Sequence, residues 1–111
     1  MKLSPYKTLL EDIQTAKNQG FTVDFLFKDD MIYNRESGKG YSKHDCLLVS
    51  YSRHEGLSDP SDASILFLIA CNDGLKGCLS SNYGIHADME LMQFALSLES
   101  YSEQNKSKNA R

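Results

Sequence analysis

The chain has no tryptophan, only two prolines in 111 residues, and three cysteines. Cys46, Cys71 and Cys78 are odd in number, and no two have the two-residue spacing of a zinc knuckle or redox motif. They are expected as reduced, buried thiols, with no metal centre. No apolar run approaches the roughly 20 residues of a membrane span. The longest, Ile65 to Cys71, has strand length. A basic excess is also missing: the net charge is -3, with Lys and Arg scattered along the chain. That composition speaks against nucleic acid or an anionic membrane as the main partner. Pro5, Tyr6 and Lys7 stand where a signal peptide needs an unbroken apolar stretch, so a cytoplasmic address is expected. The size allows one core and no second lobe closing over a substrate.

Catalytic and phosphate-binding patterns are sparse as well. Ser37-Gly38-Lys39-Gly40 lacks the first Gly and the Lys-Ser/Thr ending of a Walker loop, and reads as a solvated hairpin loop. No glycine-flanked Ser sits at a strand-to-helix elbow. His44-Asp45-Cys46 holds a base, an acid and a thiol in succession, but adjacent strand residues point to opposite faces. No catalytic residue and no cofactor are assigned.

What is present is periodicity. Pro5 to Gln19 reads as an amphipathic helix stopped by Gly20, with Tyr6, Leu9, Leu10, Ile13 and Ala16 as its stripe. From Phe21 the period changes to two, with Phe21, Val23, Phe25 and Phe27 on one face of a first strand. Lys28-Asp29-Asp30 makes a turn into a short second strand, Met31 to Tyr33, and Asn34 to Lys43 reads as a polar loop. Cys46 to His54 is a third strand, with Leu47, Val49 and Tyr51 on one face and Ser50 and Ser52 on the other. Ser64 to Asn72 and Leu75 to Ser81 form a hairpin about a two-residue primed turn at Asp73-Gly74. That register puts Ile69 opposite Cys78 and makes Cys71 and Cys78 diagonal neighbours on one face, too far apart for a disulfide.

Asp88 caps a last helix that runs to about Leu98. The expected fold is α+β in the order α-β-β-β-β-β-α: a mostly antiparallel five-stranded sheet flanked by N-terminal and C-terminal helices. Residues 1–98 form the domain, and 99–111 a disordered polar tail.

Two apolar surpluses stand out. Ile65 to Cys71 is apolar on both faces, which implies a central strand covered twice or a face left for a partner. On the last helix the apolar residues span about 220° of the wheel, more than one buried face needs. Met89, Met92 and Leu96 are the expected interface of a homodimer or protein partner. For a small ligand, Arg53 and Glu55 at the end of the third strand, Asp59 in the following loop, and Tyr83 with His86 before the last helix are the candidate residues.

Arg53-His54-Glu55-Gly56-Leu57-Ser58-Asp59-Pro60, Asp73-Gly74-Leu75-Lys76-Gly77 and Tyr83-Gly84-Ile85-His86-Ala87-Asp88 together resemble a family of small uncharacterised bacterial proteins. Members of that family often carry the label phosphoribosylpyrophosphate synthetase. The resemblance extends from the first helix to Leu98. Its label implies ribose-phosphate handling, with Asp29 and Asp30 as the paired acids that hold ribose hydroxyls. Tyr33-Asn34-Arg35-Glu36 stands where such a motif has its phosphate-wrapping loop, and the residues themselves read as a turn with two solvated acids. Two functions therefore stand as expectations. One is a non-enzymatic binding or interaction module, self-associating through the last helix. The other is a small nucleotide or ribose-phosphate binding protein or enzyme.

Overall fold

The computed structural model describes residues 9–54, 63–82 and 88–100. Helix α1 spans Leu9–Asn18, and Ala16, Ile13 and Leu9 form its packed side. Gly20, at φ 101°, ends it: Phe21 N–H donates to the Ala16 carbonyl (2.9 Å) and Gly20 N–H to that of Lys17 (3.1 Å). This paired closure satisfies the last helical carbonyls and turns Phe21 back onto Ala16. Leu10, expected in the stripe, is exposed instead.

Strand β1 (Val23–Lys28) turns through Asp29 and Asp30 into β2 (Met31–Asn34). Lys28 pairs with Met31, so the loop has two residues, and both have positive φ, 52° and 64°. A turn of this primed type matches strand twist but demands the left-handed region twice. The expected polar loop from Asn34 contains a further strand, β3 (Gly40–Tyr41). The Asn34 side chain holds the intervening turn by accepting the Glu36 N–H at 2.8 Å. A 3-10 helix (Lys43–Asp45) leads into β4 (Cys46–His54).

The hairpin of β5 (Ser64–Cys71) and β6 (Lys76–Asn82) is where expected, but its turn is not. Gly74 N–H donates to the Cys71 carbonyl at 3.0 Å, Cys71 N–H to that of Leu75 at 2.7 Å, and Gly74 has φ 96°. The loop is therefore three residues, Asn72 to Gly74, closed by a left-handed glycine. One extra residue shifts the register so that Ile69 faces Gly77 and Leu68 faces Cys78. Every side chain beyond the turn changes its cross-strand partner, and Cys71 and Cys78 lie in clusters on opposite faces. Strand β4 also departs from strict alternation. A bulge between Leu48 and Ser50 puts Tyr51 opposite Phe67, while Val49 packs with Leu68 on the other side.

The expected five-stranded, mostly antiparallel sheet is corrected: among the described residues the sheet is mixed and has seven strands, ordered β3-β2-β1-β6-β5-β4-β7. Two antiparallel meanders, β1 to β3 and β4 to β6, join through a parallel pair, Val23 with Gly77 and Asp24 with Cys78. A second parallel pair attaches β7 (Glu99–Ser100) to β4 at Leu47 and Leu48. Strands of two residues leave almost no periodic signal, which is why β3 and β7 escape a sequence reading. Ordered chain thus continues through Ser100, past the expected start of the polar tail at Glu99. Residues 101–111 lie outside the described residues.

The sheet cannot be flat. From β3 to β4 is five inter-strand steps, about 24 Å in a flat sheet, while the chain from Tyr41 to Cys46 reaches at most about 18 Å when extended. The short 3-10 helix uses less than that reach. The sheet curls into a half-barrel and brings β3 back across the β5–β6 turn.

Helix α2 (Met89–Leu96), capped by Asp88 Oδ1 accepting the Leu91 N–H at 3.1 Å, packs on one face with Phe25, Ile32, Tyr41, Ile65, Phe67, Ile69 and Leu79. Helix α1 covers Leu66 and Cys78 on the other face. Strand β5 is an interior strand, paired on both edges and covered on both faces. No helix among the described residues is long and apolar enough to cross a membrane.

Candidate functional site

The richest polar chemistry among the described residues lies where the 3-10 helix, the β5–β6 turn and the α2–β7 junction meet. Two cavities, of about 500 and about 460 Å³, open there. Lys43 and Ser97 line both, so the two adjoin. His44, Asp45, Cys46, Asn72 and Glu99 border the first. Phe27, Asp29, Asp30, Glu90, Gln93 and Phe94 border the second. Phe27 and Phe94 meet at 5.5 Å between ring centres and give that end an apolar wall.

Behind the first cavity, Asp73 ties the curled edge down. Its Oδ2 accepts from Tyr41 Oη at 2.8 Å and Lys39 Nζ at 2.9 Å, and its Oδ1 from the Leu75 N–H at 3.1 Å. Led by the Lys39 bond, these donors hold the Asp73 carboxyl down to about 2 from its ordinary 3.8. Burial, then the bond to Asp73, pushes the Tyr41 phenol up to about 12. Asp45 closes the 3-10 helix by accepting from Ser42 N at 3.2 Å and from Asn72 Nδ2 at 3.1 Å.

Two thiols stand beside this network. Cys46 and Cys71 are directly opposite in the β4–β5 ladder and are 3% and 7% exposed. Cys46 Sγ donates to the Ser42 carbonyl at 3.3 Å. The neighbouring Cys71 thiol lowers the Cys46 value, while the Cys46 thiol and burial raise that of Cys71. Cys78 is alone among Ala16, Phe21 and Leu66, and burial raises its thiol.

A second polar cluster, missed from sequence, joins α1 to β4. Asp12 Oδ2 lies 2.8 Å from His54 Nε2 and accepts from Ser52 Oγ at 3.1 Å, while Ser52 Oγ is 3.2 Å from the same Nε2. The residue types are those of a hydrolase triad, but both partners approach one ring nitrogen. A triad needs opposite nitrogens, one oriented by the acid and one serving the hydroxyl. This arrangement is an inter-element tie. Only the two-residue spacing of Ser52 and His54 on one strand face pointed to it.

Of the residues selected from sequence as a ligand site, Arg53 alone is among the described residues. Arg53 is exposed, opposite Ile65 on the α2 side. Glu55, Asp59, Tyr83 and His86 lie outside the described residues. Asp29 and Asp30 form the primed turn and also border a cavity. Of the three interface residues, Met89 and Leu96 are 62% and 55% exposed, while Met92 is 8% exposed and belongs to the core. The apolar arc of α2 thus splits into a buried majority and an exposed flank of two residues, two turns apart. Among the described residues no three His, Cys, Asp or Glu side chains gather as a metal site.

Compared with protein-family profiles, with curated proteins and with solved structures, the chain matches none.

Proposed function

We propose that this chain is a non-enzymatic binding module that receives a basic segment of a partner protein in the groove formed by the two adjoining cavities. The supporting observation is the charge of the lining. Among the described residues, Asp29, Asp30, Asp45, Glu90 and Glu99 line it against one lysine, Lys43. A concave surface lined with one sign of charge concentrates ligands of the opposite sign, and Phe27 beside Phe94 offers a wall that suits a Lys or Arg stem. The Asp29-Asp30 turn adds to this. Asn-Gly is the favoured pair for that backbone, yet the chain places two carboxylates there, both in left-handed conformation. A phosphate would meet the same carboxylates as repulsion, so the ribose-phosphate ligand implied by the resemblance is the competing arm of the test.

The experiment is an NMR titration of the full chain with a tetralysine peptide and, separately, with ribose 5-phosphate plus magnesium. Tetralysine is expected to shift the amides of Asp29, Asp30, Asp45 and Glu90, with affinity falling as salt rises. Shifts scattered over the surface, or stronger shifts at Asp29 and Asp30 with ribose 5-phosphate, would overturn the proposal.

A homodimer through α2 is a second reading, favoured by the exposure of Met89 and Leu96. Leu96→Lys, which leaves the buried core intact, separates it from the first. Sedimentation of parent and variant at low and high concentration is expected to show weaker association in the variant; a monomer throughout rejects this reading.

A further inference from the structure

We propose that Cys46 and Cys71 form a reversible thiol–disulfide site that closes in response to a peroxide. The backbone already places the pair for it. Asn72 N–H donates to the Asp45 carbonyl at 2.8 Å, so the neighbouring pair, Cys46 with Cys71, is the non-hydrogen-bonded kind. Cys71 confirms this by turning both its N–H and its carbonyl toward β6, to Leu75 and Gly74. Directly opposed residues at such a position have Cα atoms about 4.5 Å apart, within the range a disulfide spans. A bridge here closes by side-chain rotation, with the ladder in place. Access comes from one side: Cys46 borders the 500 Å³ cavity beside Lys43 and His44. Hydrogen peroxide, little larger than water, can enter it.

The chemistry needs no other co-reactant. The Cys46 sulfur attacks one peroxide oxygen, the O–O bond breaks, and the departing hydroxide takes the thiol proton to leave as water. The product is a sulfenic acid on Cys46. The Cys71 sulfur then attacks the Cys46 sulfur, forming the S–S bond as the S–O bond breaks, and a second water leaves with the Cys71 proton. Two thiols are oxidised by two electrons, one peroxide is reduced, and a dithiol reductant reverses the step. Cys78 is an internal control. It is as buried, at 6% exposure, but sits in the cluster on the opposite face with no second thiol.

The sequence makes the test direct, because trypsin separates the three cysteines onto residues 44–53, 54–76 and 77–106. The full chain is treated with one equivalent of hydrogen peroxide, alkylated and mapped without reduction. The expected product joins 44–53 to 54–76, is lighter than the reduced pair by two hydrogens, and retains an alkylated Cys78. Loss of free Cys46 and Cys71 is expected to be at least about tenfold faster than loss of free Cys78. In Cys71→Ser the bridge cannot form, and a cyclic 1,3-diketone is expected to trap a sulfenic acid on 44–53. Three free thiols after treatment, a bridge that includes Cys78, or equal rates at all three positions would overturn the proposal. Each of these is read on the parent chain, whatever the variant's stability.

Discussion

Under α2, the face of β5 carrying Phe67 and Ile69 is fully buried in a continuous apolar cluster that draws on six strands. Under α1, the opposite face of the same strand gives Leu66 and Leu68 to a smaller cluster, completed at its rim by the tie of Asp12 to Ser52 and His54. One strand is thus held by close packing on one side and by packing plus directed polar contacts on the other. The contrast explains how a small chain covers a doubly apolar strand with one short helix per face. The richer helix closes the wide side, and the poorer helix is helped by hydrogen bonds.

Substitutions can break this contrast in order of size. Phe67→Ala, which empties the centre of the α2 side, is expected to lower stability by about 3–5 kcal/mol, read as a shift in the urea midpoint. Leu66→Ala, one residue away and facing α1, is expected to lose about 2–3 kcal/mol in the same titration, because the smaller cluster collapses more easily around the void. An equal or greater loss at Leu66 would reverse the assignment. Asp12→Asn should remove about 1 kcal/mol by weakening the tie, and in a Ser52→Ala background its effect should shrink. Purely additive losses would show that the two side chains do not cooperate.

The smallest expected effect is conditional on pH. Asp73, depressed to about 2 from 3.8, contributes its tie to Lys39 and Tyr41 in full above about pH 4. That contribution is lost as pH falls toward 2. The difference in thermal midpoint between the parent and Asp73→Asn should therefore be constant from pH 7 to pH 5 and then narrow. A difference that grows on acidification would refute it.

Much of this arrangement was legible in the residues themselves. The double apolarity of Ile65 to Cys71, the stop at Gly20, the Asp88 cap and the β5–β6 hairpin all follow from local rules, and local rules hold where the responsible atoms are near in sequence. The misses are of another kind. Whether Asp73-Gly74 closes a two- or three-residue loop depends on which carbonyl the Cys71 N–H reaches, and that choice decides whether Cys71 and Cys78 share a face, while the separate β4–β5 register pairs Cys71 with Cys46. The pairing of Val23 with Gly77 joins residues 54 positions apart, beyond any periodicity. Met92 looked like Met89 and Leu96 on the helical wheel, and only the curl of the sheet decides which of the three it reaches. The cavities with their carboxylate lining arise from that curl as well, which is why Asp29 and Asp45 had no common signal in the sequence.

The parallel seam between β1 and β6 has a consequence for the order of assembly. Gly77 permits it: a Cβ there would lie 2.7 Å from the Phe25 ring and against the Val23 carbonyl, so the two strands approach over bare backbone. Each meander closes through connections of at most nine residues, whereas the seam closes a loop of more than fifty residues for only two register pairs. Loop-closure entropy therefore delays the seam until both meanders exist. Hydrogen exchange should find the amides of Val23 and Asp24 opening ahead of those of β5, so that the molecule comes apart as two hairpin units before either one melts.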